Sequence, residues 1–141
     1  MKNVLILCTG NSARSLMAEY LVNRELGERW HAESAGVEPK TPNPWAIRVL
    51  AELRIDASGA RSKSVEEFLD REDLSLVVTV CDHARETCPV FPHPVKQIHV
   101  GFEDPAPYSD EPEEIALAKF REVRDQIQNQ LLPVLEQLVF D

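Results

Sequence analysis

The chain is predicted to be an α/β protein, a four-stranded parallel sheet with helices on both faces. Two observations predict it. Val4–Cys8 and Leu74–Cys81 are nearly continuous apolar runs bounded by turn residues, the pattern of strands buried on both faces. Strand-like and helix-like segments also alternate along the chain, which is the order of a parallel sheet with helical crossovers. A third observation concerns placement. Ligands of such sheets sit at the C-terminal strand ends, where strand order reverses, and Cys8, Cys81 and the Gly101–Pro105 loop all fall at such ends.

Each element has its own signal. After the Val4–Cys8 strand, Ser15 to roughly Arg29 reads as a helix with Met17, Ala18, Leu21 and Val22 on one side. His31–Val37 is a short edge strand ending at Gly36. Asn43 is the N-cap and Pro44 the first residue of a second helix, whose apolar face is Ala46, Val49, Leu50 and Leu53. Ser64 and Glu67 have the spacing of a capping box and open a short helix to about Arg71. Val95–Val100 is a further, less apolar strand. Pro112 starts a long helix striped by Ala116, Phe120, Val123, Ile127 and Leu131; Pro133 should break or kink it, because proline lacks the N–H and clashes with the preceding turn.

Composition narrows the function classes. With 141 residues, 43% hydrophobic and 28% charged, residues 1–141 are expected to form a single domain with its own core. A net charge of −9 argues against nucleic acid or an anionic membrane as partner, so an anionic substrate must be held by local donors. A run of only four apolar residues precedes Cys8, too short for a signal peptide, and no run reaches the ~20 residues that span a bilayer. A cytoplasmic protein is expected. Three cysteines cannot all pair with one another, and in a reducing compartment they lean toward chemistry.

The chemistry starts at Cys8-Thr9-Gly10-Asn11-Ser12-Ala13-Arg14-Ser15, between the first strand and the first helix. N–H groups of a loop entering a helix lack intrahelical acceptors and converge on an anion; the same donors favour thiolate over thiol. Arg14 adds a planar fork suited to a tetrahedral oxyanion. Gly10 and Asn11 are residue types that tolerate positive φ, as a cradle of inward N–H groups demands. Cysteine, five residues and arginine alone is a weak signal; strand before, helix after and Ser15 next to Arg14 make it a strong one.

Cys81 ends the second apolar strand, and Cys88 follows seven residues later, before Pro89. The intervening segment has helix-compatible composition. If helical, it separates the two by ~10.5 Å, whereas a disulfide needs Cα atoms ~4.4–6.8 Å apart. A reduced helical form and an oxidised looped-out form are then possible, as are two unrelated buried thiols. A metal site from Cys81, His83, Cys88 and His93 or His99 lacks the short cysteine spacing of zinc knuckles. No metal or cofactor is expected. Asp104-Pro105 follows the Val95–Val100 strand, where a carboxylic acid could protonate a leaving oxygen.

The run C-T-G-N-S-A-R-S-L-M-A-E resembles the phosphate-binding loop of the low-molecular-weight protein tyrosine phosphatase superfamily. With Cys81, Cys88-Pro89 and G-F-E-D-P-A downstream, the resemblance extends over nearly the whole chain to the thioredoxin-coupled arsenate reductases of that superfamily. The phosphatases share the loop but not this cysteine pair, and usually carry aromatic residues after Asp-Pro, where Ala106 and Pro107 stand here. The resemblance implies a low-molecular-weight phosphatase-like fold and a role in arsenic detoxification. It implies arsenate as substrate, with phosphate or sulfate as analogues, bound by Thr9, Gly10, Asn11, Ser12, Ala13, Arg14 and Ser15. Cys8 is then the nucleophile steadied by Ser15, Asp104 the acid, and Cys81 and Cys88 the redox disulfide recycled by thioredoxin. Alternatives are phosphate-monoester hydrolysis by Cys8, Arg14 and Asp104, and an oxyanion or redox sensor without turnover. Some of these reductases bind potassium beside the loop. Asn11, Glu19 and Ser34 match that set, but Ser62 and Ser64 stand at its later positions and the aspartate is missing, so potassium dependence is not expected.

Overall fold

A computed structural model describes residues 1–138. Four strands, β1 (Lys2–Cys8), β2 (Trp30–Gly36), β3 (Leu74–Thr79) and β4 (Lys96–His99), form one parallel sheet in the order β2-β1-β3-β4. The helices are α1 (Arg14–Glu25), α2 (Pro44–Ala51), α3 (Asp82–Thr87) and α4 (Glu113–Gln137), with single 3-10 turns at Val65–Phe68 and Ala106–Tyr108. The chain goes from β1 outward to β2, then crosses back to β3 on the other side of β1. The order therefore reverses between β1 and β3, and the crevice above their C-terminal ends is the ligand position of an open α/β sheet.

The core explains the apolar runs. Val4, Leu5, Ile6 and Leu7 are fully buried, as are Leu76, Val77 and Val78, so side chains pointing to both faces of the sheet are covered. Burying a Leu or Ile side chain is worth about 1.5–3 kcal/mol, which makes these two strands the mechanical base of the site. In the edge strand β4, Lys96 and Gln97 are exposed and Ile98 and His99 half-buried, which matches its weaker apolar signal. On α2 the Asn43 side chain accepts from the Trp45 N–H with Pro44 in the first turn, and both halves of the Ser64–Glu67 capping box are formed.

Three boundaries differ from expectation by more than two residues. The first helix stops at Glu25 rather than near Arg29: the Leu26 N–H makes the last helical bond, to Val22 O, the Arg29 and Trp30 N–H groups both turn back to Leu26 O, and Gly27 turns so tightly that a Cβ there would lie 2.3 Å from Asn23 O. The segment after Ser64 closes as one 3-10 turn instead of reaching Arg71. Pro133 does not end α4, which is helical to Gln137. One missing hydrogen bond is outweighed there by packing: Leu131 and Leu135 are fully buried, and the buried Trp30 indole N–H donates to Leu135 O at 3.2 Å.

Candidate functional site

Cys8 is the last residue of β1, and the following loop rises over the sheet edge into α1. The loop is tied down from below and beside: Val37, Glu38 and Lys40 donate backbone N–H bonds to Cys8 O, Thr9 O and Gly10 O. Asn11 adopts φ 50°, the left-handed conformation that asparagine tolerates, and is fully buried. Gly10 does not, contrary to expectation; it is there for close approach, since a Cβ would meet the Lys40 side chain at 3.3 Å. Gly36 has the same role more severely. Its virtual Cβ would lie 2.5 Å from Thr9 O and 2.9 Å from Asn11 N, so the end of β2 and the loop backbone touch with no room between them.

The thiol faces organised donors. Cys8 Sγ lies 2.8 Å from Ser15 Oγ and accepts the Asn11 backbone N–H at 3.2 Å. The Asn11 amide donates to both Ser15 Oγ at 2.8 Å and Ser34 Oγ at 2.9 Å, and Ser34 donates to Glu19 at 2.7 Å. A cavity of about 400 Å³ opens above, walled by Cys8, the loop, Arg14, residues 40–44 and Asp104. Thr9, Gly10, Ser12, Ala13 and Arg14 face it. Asn11 and Ser15 do not: both side chains lie fully buried under the loop and support it.

Arg14 and Asp104 meet across this cavity. The guanidinium is 3.6 Å from the Asp104 carboxylate and donates to Phe102 O at 3.3 Å, while Asp104 also accepts the Ala106 N–H at 2.9 Å. A cation and a half-exposed carboxyl therefore line one cavity with the thiol. Tyr108 is partly buried in a 3-10 turn and has the Lys119 ammonium 4.9 Å from its ring centre.

Cys81 borders a second cavity that shares Thr9 and Arg14 with the first. Its Sγ lies 3.4 Å from Thr9 Oγ1 and accepts the Ala84 N–H at 3.4 Å, so it caps α3. The segment between Cys81 and Cys88 is indeed helical, six residues long, and all three cysteines are free thiols. Cys88 sits beyond the far end of α3, half-buried, and burial pushes its thiol pKa up. The helix is held by two histidine contacts absent from the sequence reading: His99 bridges Thr79 Oγ1 at 2.8 Å and Asp82 at 3.2 Å, and His83 lies 3.6 Å from Glu38.

Lys63 is the other residue the sequence did not expose. Its backbone N–H donates to Asn11 Oδ1 at 2.9 Å, and its ammonium lies 3.5 Å from Glu19, both side chains about 15% exposed. The residues matching a potassium set do not fit a bound cation, because the Lys63 ammonium already sits on their one carboxylate. Among the described residues no group of three His, Cys, Asp or Glu side chains could hold a metal ion.

The low molecular weight phosphotyrosine protein phosphatase family matches residues 3–141. An arsenate reductase of Bacillus subtilis (strain 168) is 43% identical over 131 residues, covering 92% of each chain. A solved structure described as an arsenate reductase in the phosphate binding state superposes with a TM-score of 0.73 at 30% identity, covering 99% of this chain and all of that one. A low molecular weight protein tyrosine phosphatase from T. tengcongensis gives a TM-score of 0.78 at 29% identity, covering 98% of this chain and all of that one. With sequence and backbone both matched almost from end to end, the chain belongs to the low molecular weight phosphotyrosine protein phosphatase family.

Proposed function

We propose that the protein reduces arsenate to arsenite with a three-cysteine relay recycled by thioredoxin. The observation that carries this reading is the placement of Cys81: its Sγ lies 3.4 Å from the hydroxyl of Thr9, the residue next to Cys8, while Cys88 waits beyond a six-residue helix. A hydrolase needs neither thiol there. The names of the relatives support arsenate reduction.

Arsenate binds the loop N–H groups and the Arg14 fork. The Cys8 thiolate attacks arsenic, an S–As bond forms, and Asp104 protonates the departing oxygen so that water leaves. The Cys81 thiolate then attacks Cys8 Sγ. The S–S bond forms as the S–As bond breaks, and its electron pair stays on arsenic, which leaves as arsenite. Cys88 next attacks Cys81 Sγ, freeing Cys8 and leaving a Cys81–Cys88 disulfide. A thioredoxin dithiol returns the two electrons by the same exchange chemistry. Cys88 must leave its half-buried position to take part, which requires α3 to open. A reducing cytoplasm suits this cycle. No helix among the described residues is long and apolar enough to cross a membrane.

The test is arsenate turnover with thioredoxin present and absent, in the parent protein and in Cys8→Ser, Cys81→Ser and Cys88→Ser. Cys8→Ser loses everything. Cys81→Ser and Cys88→Ser stop multiple turnover but keep hydrolysis of an aryl phosphate, and Cys88→Ser accumulates a Cys8–Cys81 disulfide visible by mass spectrometry. Sustained arsenite production without Cys81 refutes the relay and leaves phosphate-ester hydrolysis by Cys8, Arg14 and Asp104 as the reading.

A further inference from the structure

We infer that Lys63 is a positioning residue for Cys8: its ammonium is the counter-ion of Glu19 built into the chain, and it acts on the thiol through Glu19, Ser34, Asn11 and Ser15. This rests on Cys8 being the nucleophile. The direction of every hydrogen bond in that series is forced from the Lys63 end. A backbone N–H can only donate, so the Asn11 atom 2.9 Å from Lys63 N is the carbonyl oxygen. The NH2 group is thereby turned toward Ser15 and Ser34, and spends one hydrogen on each. Ser34, already accepting, gives its own proton to Glu19 at 2.7 Å. Ser15, already accepting, has its proton left for Cys8 Sγ at 2.8 Å.

The far end of this series needs an oxygen that only accepts. An ionised carboxylate is that oxygen, but Glu19 is largely withdrawn from water. Lys63 supplies the missing charge compensation at 3.5 Å. Without the ammonium, nothing compensates the Glu19 charge at that depth, and the carboxylate turns back toward water. Ser34 then loses its acceptor, Asn11 loses a fixed partner, and the left-handed Asn11 backbone, whose N–H also points at Cys8 Sγ, loses its support. Lys63 touches neither the cavity nor the thiol.

The test is the rate of Cys8 alkylation by iodoacetamide at a fixed, mildly acidic pH, in a Cys81→Ser, Cys88→Ser background where one thiol remains. This readout does not involve arsenate, so its failure is separable from failure of the proposed activity. Lys63→Met keeps length and removes charge; alkylation should slow about tenfold. Lys63→Arg keeps the charge and should stay within about threefold of the parent. Glu19→Gln combined with Lys63→Met removes the charge that needed compensation yet keeps an acceptor oxygen for Ser34, and should recover most of the lost rate. A Lys63→Met protein that alkylates at the parent rate overturns the inference. So does a double variant as slow as Lys63→Met alone, which is what a simple folding defect at position 63 would give.

Discussion

Replacing Gly36 by alanine adds one methyl group and no charge, yet it should damage both stability and the site. The new Cβ would lie 2.5 Å from Thr9 O, 2.9 Å from Asn11 N and 3.0 Å from Gly10 C, all backbone atoms of the loop. Ordinary contact begins near 3.4 Å, so the loop and the end of β2 must separate by roughly 0.9 Å. No side chain can rotate away to absorb this. Overpacking of this kind costs about 1–3 kcal/mol, and at about 2–4 °C per kcal/mol the melting temperature should fall by roughly 2–12 °C. The functional effect should be larger. Asn11 N is a donor to Cys8 Sγ at 3.2 Å, and a displacement approaching 1 Å at a reacting group can cost about a hundredfold. Thermal melts, iodoacetamide alkylation of Cys8 and kcat/KM for arsenate measure the three effects. Gly59→Ala is the control, because its Cβ meets nothing within 4 Å. If Gly36→Ala matches Gly59→Ala in melting temperature and in Cys8 alkylation, the close contact does not organise the loop and the reasoning fails.

Three further outcomes follow from particular residues. Arg14→Lys should lower kcat/KM for arsenate by about a hundredfold or more although the charge is kept, because an ammonium cannot bridge an oxyanion, Asp104 and Phe102 O as a fork does; near-normal turnover would show that Arg14 is not the clamp. Burial raises the Cys88 pKa, so an exposed Cys88 loses its proton at lower pH than the buried one, and the closed segment is fully stable below the ordinary thiol value and loses stability as pH rises through it. The opening constant from hydrogen exchange of residues 84–88, corrected for chemical exchange, should therefore rise as pH climbs above the ordinary thiol value of about 8.5, and Cys88→Ser should abolish that rise while residues 4–7 stay protected in both proteins. Glu52 is held below the usual carboxylate range first by its hydrogen bond to Arg121 and also by Arg124, which ties α2 to α4. That contribution is present above the ordinary carboxylate value and is lost as pH falls through the lowered one, so Glu52→Gln should melt earlier than the parent near neutrality and approach it in acid.

Much of this protein is written in local pattern. Continuous apolar runs are enough for β1 and β3, because a strand buried on both faces has no polar side to show, and 0% exposure of Leu5, Ile6 and Leu7 is the structural counterpart of that run. The caps at Asn43 and Ser64 were equally legible, since a cap is a contact between residues two or three apart. So were the cysteine–arginine loop and the helical spacing of Cys81 and Cys88. Tertiary structure decided what depends on partners distant in sequence. α4 passes through Pro133 because Trp30, about a hundred residues earlier, holds the last turn; propensity alone predicts a break. Asn11 and Ser15 carry residue types that suit an oxyanion cradle, but their side chains point under the loop, where Ser34 and Lys63 hold the Asn11 amide and that amide holds Ser15. Gly10 and Gly36 are both glycines beside a loop, and only the folded backbone distinguishes a mild approach to a flexible lysine from a backbone-to-backbone contact. Lys63 carried no motif of its own. Its meaning comes from a charge 44 residues away on α1, and a charge pair across a fold leaves no periodicity in the chain that makes it.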